Sequence, residues 1–216
     1  MVLMSGVLGL LLVGILVYAV VNQGAGFIDP LDKADQSVSD VQKYDKLDRD
    51  HVATTVDYSQ SPPVGGKHAG AWENCAVYTK AIASENAVHS LEHGAVWVTY
   101  RPDLAAAQVA ALAAKVEGNP YRLMSPYPGL KSPISLQAWG RQIFADSPTD
   151  KKVDAFLEAY TQGPQAPEKG TCDGGTSATG PLQVAPAAPA SGAASPAASA
   201  HASPAASGHA SPVASP

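Results

Sequence analysis

Residues 84–100 read SENAVHSLEHGAVWVTY and contain the two kinds of pattern from which we predict the fold. Residues 85–93 fit one or two turns of helix, which would place His89 and His93 at positions i and i+4 on one face. Residues 94–100 are enriched in β-branched and aromatic side chains, which is typical of a strand. The chain is therefore expected to combine helices with a sheet.

Two clearer helices are predicted further along the chain. The first is an alanine-rich run from Leu104 to Glu117, with Asp103 as its expected N-cap and Gly118 as its stop. The second covers residues 151–160 and repeats apolar side chains at helical spacing. Its expected buried face consists of Val153, Phe156, Leu157 and Tyr160.

Further strands are expected at residues 51–58, 74–78, 121–124 and 134–145, where apolar or β-branched residues recur between loops rich in Pro and Gly. Strands and helices interleave, but their connections are too short and irregular for a doubly wound sheet. The predicted fold class is α+β, with a small, mostly antiparallel sheet and two packed helices. It is preceded by one transmembrane helix and followed by a disordered tail.

The two ends of the chain differ in composition from its middle. Residues 2–21 carry no charge and are long enough to span about 30 Å of hydrocarbon, so residues 1–22 are predicted to be an uncleaved transmembrane anchor. A cleaved signal peptide is the competing interpretation, with a late site near residues 24–26. Residues 23–44 are predicted to be a juxtamembrane linker, residues 45–175 the globular domain, and residues 176–216, almost wholly Ala, Ser, Pro and Gly, a disordered tail.

The cysteines indicate the cellular compartment of the domain, and the net charge limits its partners. The two cysteines, Cys75 and Cys172, flank most of the domain, and a disulfide between them would persist only in an oxidising compartment. Two unrelated buried thiols are the alternative, which the polar surroundings of Cys172 disfavour. We therefore predict a single-pass protein of the cell membrane with its domain on the extracytoplasmic side. The net charge of −5 argues against nucleic acid as a partner.

The residues most able to carry chemistry are histidines and one glutamate. His89 and His93 are spaced so that two imidazoles can reach one metal ion, and Glu92 lies near the same helix face. His68 lies in a glycine-rich loop that can fold over them, and His51 is a further candidate. The leading hypothesis is a non-enzymatic protein that binds copper or zinc through His68, His89, Glu92 and His93, since imidazole suits both metals.

Two other functions remain open on the sequence. His-x-x-Glu-His is the inverted zinc-peptidase motif, in which the glutamate acts as the base. The expected helix ends at Gly94, however, and the domain is small for a two-lobed peptidase, so this hypothesis has the least support. The other alternative is a structural or partner-binding module of the envelope without a metal, in which the histidines form hydrogen bonds in a polar core.

Five motifs stand out along the predicted domain: PPVGGKH at 62–68, NCAVY at 74–78, NAVHSLEHGAVWVTYRP at 86–102, SPYPG at 125–129 and AWGR at 138–141. Together they resemble an uncharacterised, mainly actinobacterial family, domain of unknown function 3105. The His-Ser-x-Glu-His-Gly block is the most specific of them. The resemblance extends from about Asp45 to Cys172. It implies a membrane-anchored domain that faces the cell envelope, and it supplies no activity.

Overall fold

The structure is a computed structural model, and it describes residues 28–182. The predicted anchor at residues 1–22 and residues 183–216 of the predicted tail lie outside the described residues. None of the helices within residues 28–182 combines the length and the apolar character that a membrane crossing needs.

Four helices and seven short strands make up the described part of the chain. In chain order they are α1 (Pro30–Ser37), β1 (Gln42–Lys43), β2 (His51–Val52), β3 (His68–Ala69), α2 (Ser84–Glu92), β4 (Val96–Tyr100), α3 (Ala106–Val116), β5 (Arg122–Pro126), β6 (Ile134–Ala138), β7 (Arg141–Ala145) and α4 (Lys151–Tyr160). The fold is α+β, as predicted.

The main sheet has five strands in the order β1-β7-β6-β4-β5. Three of its pairings are antiparallel, whereas β4 and β5 run parallel with α3 as the crossover between them. The sheet is therefore mixed, because a helix-length connection allows neighbouring strands to run in the same direction. A second sheet consists of β2 and β3 in parallel pairing.

Helices cover both faces of the main sheet, because side chains alternate between the faces along each strand. In β4, Val96, Val98 and Tyr100 join one buried cluster, which α3 and α4 complete. Trp97 points to the other face and packs in a second cluster. That second cluster includes Val88 and Leu91 of α2 and also Cys172, so α2 is the helix on this face.

The predicted bounds, caps and buried residues of the helices agree in part with the structure. Helix α4 has the predicted bounds, and its four predicted core residues are buried. Helix α3 begins two residues later than expected, and Asp103 does not cap it; the Asp103 carboxylate accepts a hydrogen bond from Arg101 instead. Gly118 follows the helix with a positive φ of 77°, a conformation that glycine adopts without strain.

One predicted strand is longer than the observed one, and another predicted strand is wrong. The strand expected at residues 51–58 is limited to His51–Val52, and residues 74–78 form no strand. Their backbone is paired at single positions instead, since Val77 bridges to Met124 and the Tyr78 amide donates to the Met124 carbonyl. Isolated bridges satisfy the backbone without the repeated pairing of a strand.

The segments on either side of the predicted domain also pack into the fold. Helix α1 and strand β1 lie in the predicted linker, yet β1 pairs with β7 and Val38 is buried in the core. At the other end, Thr176 bridges to Glu73 and Thr179 to Ile82. Residues 176–179 therefore have defined backbone partners although they were predicted to belong to the tail.

Candidate metal centre

Helix α2 carries two of the site residues on its buried side. It ends at Glu92, and Gly94 follows with a φ of 95°, which turns the chain sharply towards β4. The amide of Gly94 donates to the Leu91 carbonyl, and the amide of Ala95 donates to that of Ser90. His89 and Glu92 are three residues apart and therefore lie on one helix face.

The small sheet brings two more histidines to the same place. In the register of β2 and β3, His51 is opposite His68. The rings of His51 and His68 are 4.8 Å apart between centroids, and each is 4.7–4.8 Å from the ring of His89. A parallel pairing of only two residues per strand thus joins distant parts of the chain at one point.

These residues form a group with the donor atoms of a metal site. One ligand atom from each of His51, His68, His89 and Glu92 lies within 4.8 Å of every other. His68, His89 and Glu92 are buried, whereas His51 is exposed. The group is therefore closest to solvent at His51.

Hydrogen bonds orient the buried imidazoles. Nδ1 of His68 lies 2.8 Å from the carbonyl oxygen of Gly66, and Nδ1 of His89 lies 2.8 Å from that of Ala69. A carbonyl oxygen only accepts, so each Nδ1 carries the proton and donates. In a neutral imidazole Nε2 then holds a free lone pair, which is the orientation that metal-ligating histidines have in proteins.

Burial also keeps His89 neutral. Desolvation lowers the pKa of His89 to about 4, with neighbouring histidines adding to the shift and the hydrogen bond to Ala69 opposing it. A neutral imidazole is the form that binds a metal ion.

Each oxygen of the glutamate lies close to a nitrogen of another side chain. Arg49 Nε donates to Glu92 Oε1 over 2.6 Å, and Oε2 lies 3.0 Å from Nε2 of His68. Although that last distance is short, Nε2 of His68 has no hydrogen bond of acceptable geometry. Two buried acceptors facing each other repel unless a proton or a cation lies between them.

His93 lies beside the group but outside it. Its ring is 4.6 Å from that of His89 and 4.9 Å from that of Trp72, and its Nδ1 donates to the Thr171 carbonyl over 2.6 Å. His93 is not among the residues whose ligand atoms converge. Of the four ligands expected from the sequence, the structure brings together His68, His89 and Glu92, and it adds His51, the further candidate.

This arrangement does not favour the peptidase hypothesis. That mechanism needs His89 and His93 as a ligand pair and Glu92 as a free base. Here Glu92 is ion-paired with Arg49 and belongs to the converging group, while His93 does not.

Arg49 and Trp72 are neighbours of the site that no sequence pattern predicted. Arg49 lies in an acidic, charged stretch that reads as solvent-exposed surface, and its side chain is half exposed. Trp72 packs on the rings of His89 and His93. The contacts of Arg49 and of Trp72 join segments that are separated in the chain, so no local sequence pattern predicts them.

The predicted disulfide is present between Cys75 and Cys172, with an S–S distance of 1.99 Å. The fold and the site together define a disulfide-linked α+β domain with a buried histidine–glutamate cluster able to hold a metal ion. A family model described as protein of unknown function (DUF3105) matches residues 51–174. The match covers more than half of the chain, so the chain belongs to this family. No curated protein and no solved structure matches it.

Proposed function

We propose that this protein binds one zinc or copper ion outside the cytoplasm, with His51, His68, His89 and Glu92 as ligands. The observation that carries the proposal is the approach of Glu92 Oε2 to within 3.0 Å of Nε2 of His68, a buried contact in which Nε2 has no hydrogen bond and which needs a proton or a cation between the two atoms. A cation at that point satisfies both atoms and also the lone pair of His89.

The donor set suits these two metals. Three imidazoles and one carboxylate are neither the all-oxygen set of calcium and magnesium nor a thiolate set, and the two cysteines are joined to each other. A tetrahedral ion with nitrogen ligands at 2.0–2.1 Å holds them about 3.3 Å apart. The group must therefore contract on binding, and His51, which is exposed on a two-residue strand, has the most freedom to move.

The location outside the cytoplasm is supported by the disulfide, because such bonds form and persist in oxidising compartments. Attachment to the membrane through residues 1–22 is part of the proposal and rests on their uncharged, apolar sequence.

Metal analysis of the purified full chain tests the proposal. We expect one equivalent of zinc or copper to bind to the wild-type protein and none to bind stably to His89→Ala. His209→Ala, a histidine substitution in the alanine-rich tail, is the matched control and is expected to bind like the wild type. A wild-type chain that takes up neither metal, and whose unfolding does not respond to either, contradicts the proposal.

A metal-free structural role is the second candidate, and one observation favours it. The Nδ1 atoms of His68, His89 and His93 each pair with a backbone carbonyl, so the histidines link β3, α2 and the chain around Thr171 without any ion. In that case His89→Ala lowers stability in metal-free buffer while the metal content of the protein stays at zero in both forms.

A further inference from the structure

We call residues 166–176 the strap. This segment follows α4, which ends at Tyr160, and runs along the side of the metal centre. The Glu168 amide donates to the Glu92 carbonyl over 3.3 Å, and the Glu168 carboxylate lies 3.4 Å from Arg49 Nη2. Arg49 in turn holds Glu92. The strap therefore contacts the backbone of Glu92 directly and the carboxylate of Glu92 through Arg49.

The strap also fixes His93, the neighbour of the imidazole ligand His89. The Thr171 carbonyl accepts from His93 Nδ1 over 2.6 Å. Gly170 packs so tightly on His93 that a β-carbon there would lie 2.8 Å from the imidazole ring. Because the rings of His93 and His89 are 4.6 Å apart, displacement of the strap frees His93 and loosens the packing of a ligand.

The disulfide ties the strap down immediately after Thr171. Cys172 is buried and is bonded to Cys75, which is half-buried. Hydrogen bonds continue on the far side, where the Thr176 amide donates to the Trp72 carbonyl. On the near side, between α4 and Cys172, the strap is largely exposed. The hydrogen bonds that its Ala166 and Glu168 amides donate are 3.3–3.4 Å long, so the disulfide is its firmest attachment beside His93.

We propose that the Cys75–Cys172 disulfide regulates the metal centre by holding the strap against His93 and Glu92, an inference that rests on the proposed function. A dithiol reductant would attack Sγ of Cys75, the less buried of the two residues, and release Cys172 as a thiolate. The second thiol of the reductant then displaces Cys75, so that the reductant leaves as a disulfide and both cysteines end as thiols. The strap opens, and the centre binds its ion more weakly.

The test compares zinc affinities of full-length proteins by competition with a chromophoric chelator. One variant, Cys75→Ala/Cys172→Ala, lacks the disulfide without adding thiol ligands. The other, Gly170→Ala, keeps the disulfide but pushes the strap and His93 apart. Gly70→Ala is the matched control, since a β-carbon there meets nothing within 4 Å although the residue lies close to His68.

We expect both variants to bind zinc roughly 10-fold more weakly or worse, the range typical when a partner that orients a metal ligand is lost, and Gly70→Ala to bind like the wild type. Wild-type affinity in a folded Cys75→Ala/Cys172→Ala variant overturns the inference, and wild-type affinity in Gly170→Ala overturns the route through the strap. If the double cysteine variant fails to fold, Cys75→Ser, which also lacks the disulfide, takes its place. A wild-type chain that binds no zinc or copper contradicts the proposed function itself, which is a different outcome.

Discussion

The Oε2 atom of Glu92 lies 3.0 Å from Nε2 of His68, and both side chains are almost completely buried. His68 already uses its other ring nitrogen as a donor to the Gly66 carbonyl. The pair therefore needs either a second proton on His68 or a cation between the two atoms. This one contact makes the centre testable by substitutions that change charge and hydrogen-bonding capacity without changing shape.

Glu92→Gln is expected to have opposite effects on the metal-free and the metal-loaded protein. The amide group of glutamine can donate to Nε2 of His68, and its oxygen can still accept from Arg49, so the metal-free protein keeps its stability or gains about 1 kcal/mol. Metal at 100 times the wild-type Kd stabilises the wild-type protein by about 2.7 kcal/mol. Loss of the carboxylate ligand is expected to remove most of this stabilisation.

Urea unfolding of the wild type and Glu92→Gln, with chelator and with zinc, measures these effects. A variant that zinc stabilises as much as it stabilises the wild type excludes Glu92 as a ligand.

His51 and His93 are expected to differ as ligands although the sequence singled out His93. His51→Ala removes a member of the converging group, and we expect zinc affinity to fall by at least tenfold. His93→Gln keeps a donor for the Thr171 carbonyl and removes no ligand, so the affinity is expected to change less. Isothermal titration of the two variants compares them directly, and the reverse order of affinities would restore His93 to the ligand set.

Glu73 is expected to make the stability of the domain depend on pH. Burial raises the pKa of Glu73 to about 7, and neither carboxylate oxygen has a hydrogen bond of acceptable geometry. The carboxyl group of an unfolded chain titrates at about 4.3, so between that value and about 7 the folded protein binds more protons. The contribution of Glu73 to stability is therefore present at low pH and is lost as the pH rises through this window.

Glu73→Gln removes this titration. The free energy of unfolding of the variant, relative to the wild type, is expected to increase by the order of 1–3 kcal/mol between pH 5 and pH 8. Chemical unfolding of both proteins at the two pH values measures the difference. Identical pH dependence in the two proteins would show that Glu73 ionises normally in the fold.

Asp35 is expected to anchor α1 to the sheet. Its carboxylate lies 2.8 Å from Arg141 Nε and 2.8 Å from Lys43 Nζ, and it accepts from the Tyr160 hydroxyl over 2.7 Å. Removal of one partner from a buried ion pair costs about 3–5 kcal/mol, because the other charge is left buried. We expect a loss of this order in Asp35→Ala.

Asp154→Ala is the control, since it breaks a pair with Lys115 in which the carboxylate is exposed, and it should cost about 1 kcal/mol or less. Thermal unfolding compares the two variants. Equal small losses would mean that residues 30–43 fold against the sheet without needing Asp35.

The parts of the fold that could be predicted from the sequence are those set by near neighbours in the chain. Helix α4 was predicted with its bounds because apolar side chains recur at helical spacing through residues 151–160. Strand β4 followed from its run of β-branched and aromatic residues. Residues 74–78 were misjudged, because their alternating pattern is satisfied by single bridges to other segments and by the disulfide.

The α+β class, the cysteine pair, the family and the helix that presents His89 and Glu92 could all be predicted from the residues of the chain. The placement of His51 opposite His68 and the hydrogen bond from His93 to Thr171 arise only when the chain folds. So do the ion pairs of Arg49 with Glu92 and of Asp35 with Arg141. Periodicity and capping act over a few residues, whereas each of these contacts depends on how distant segments pack.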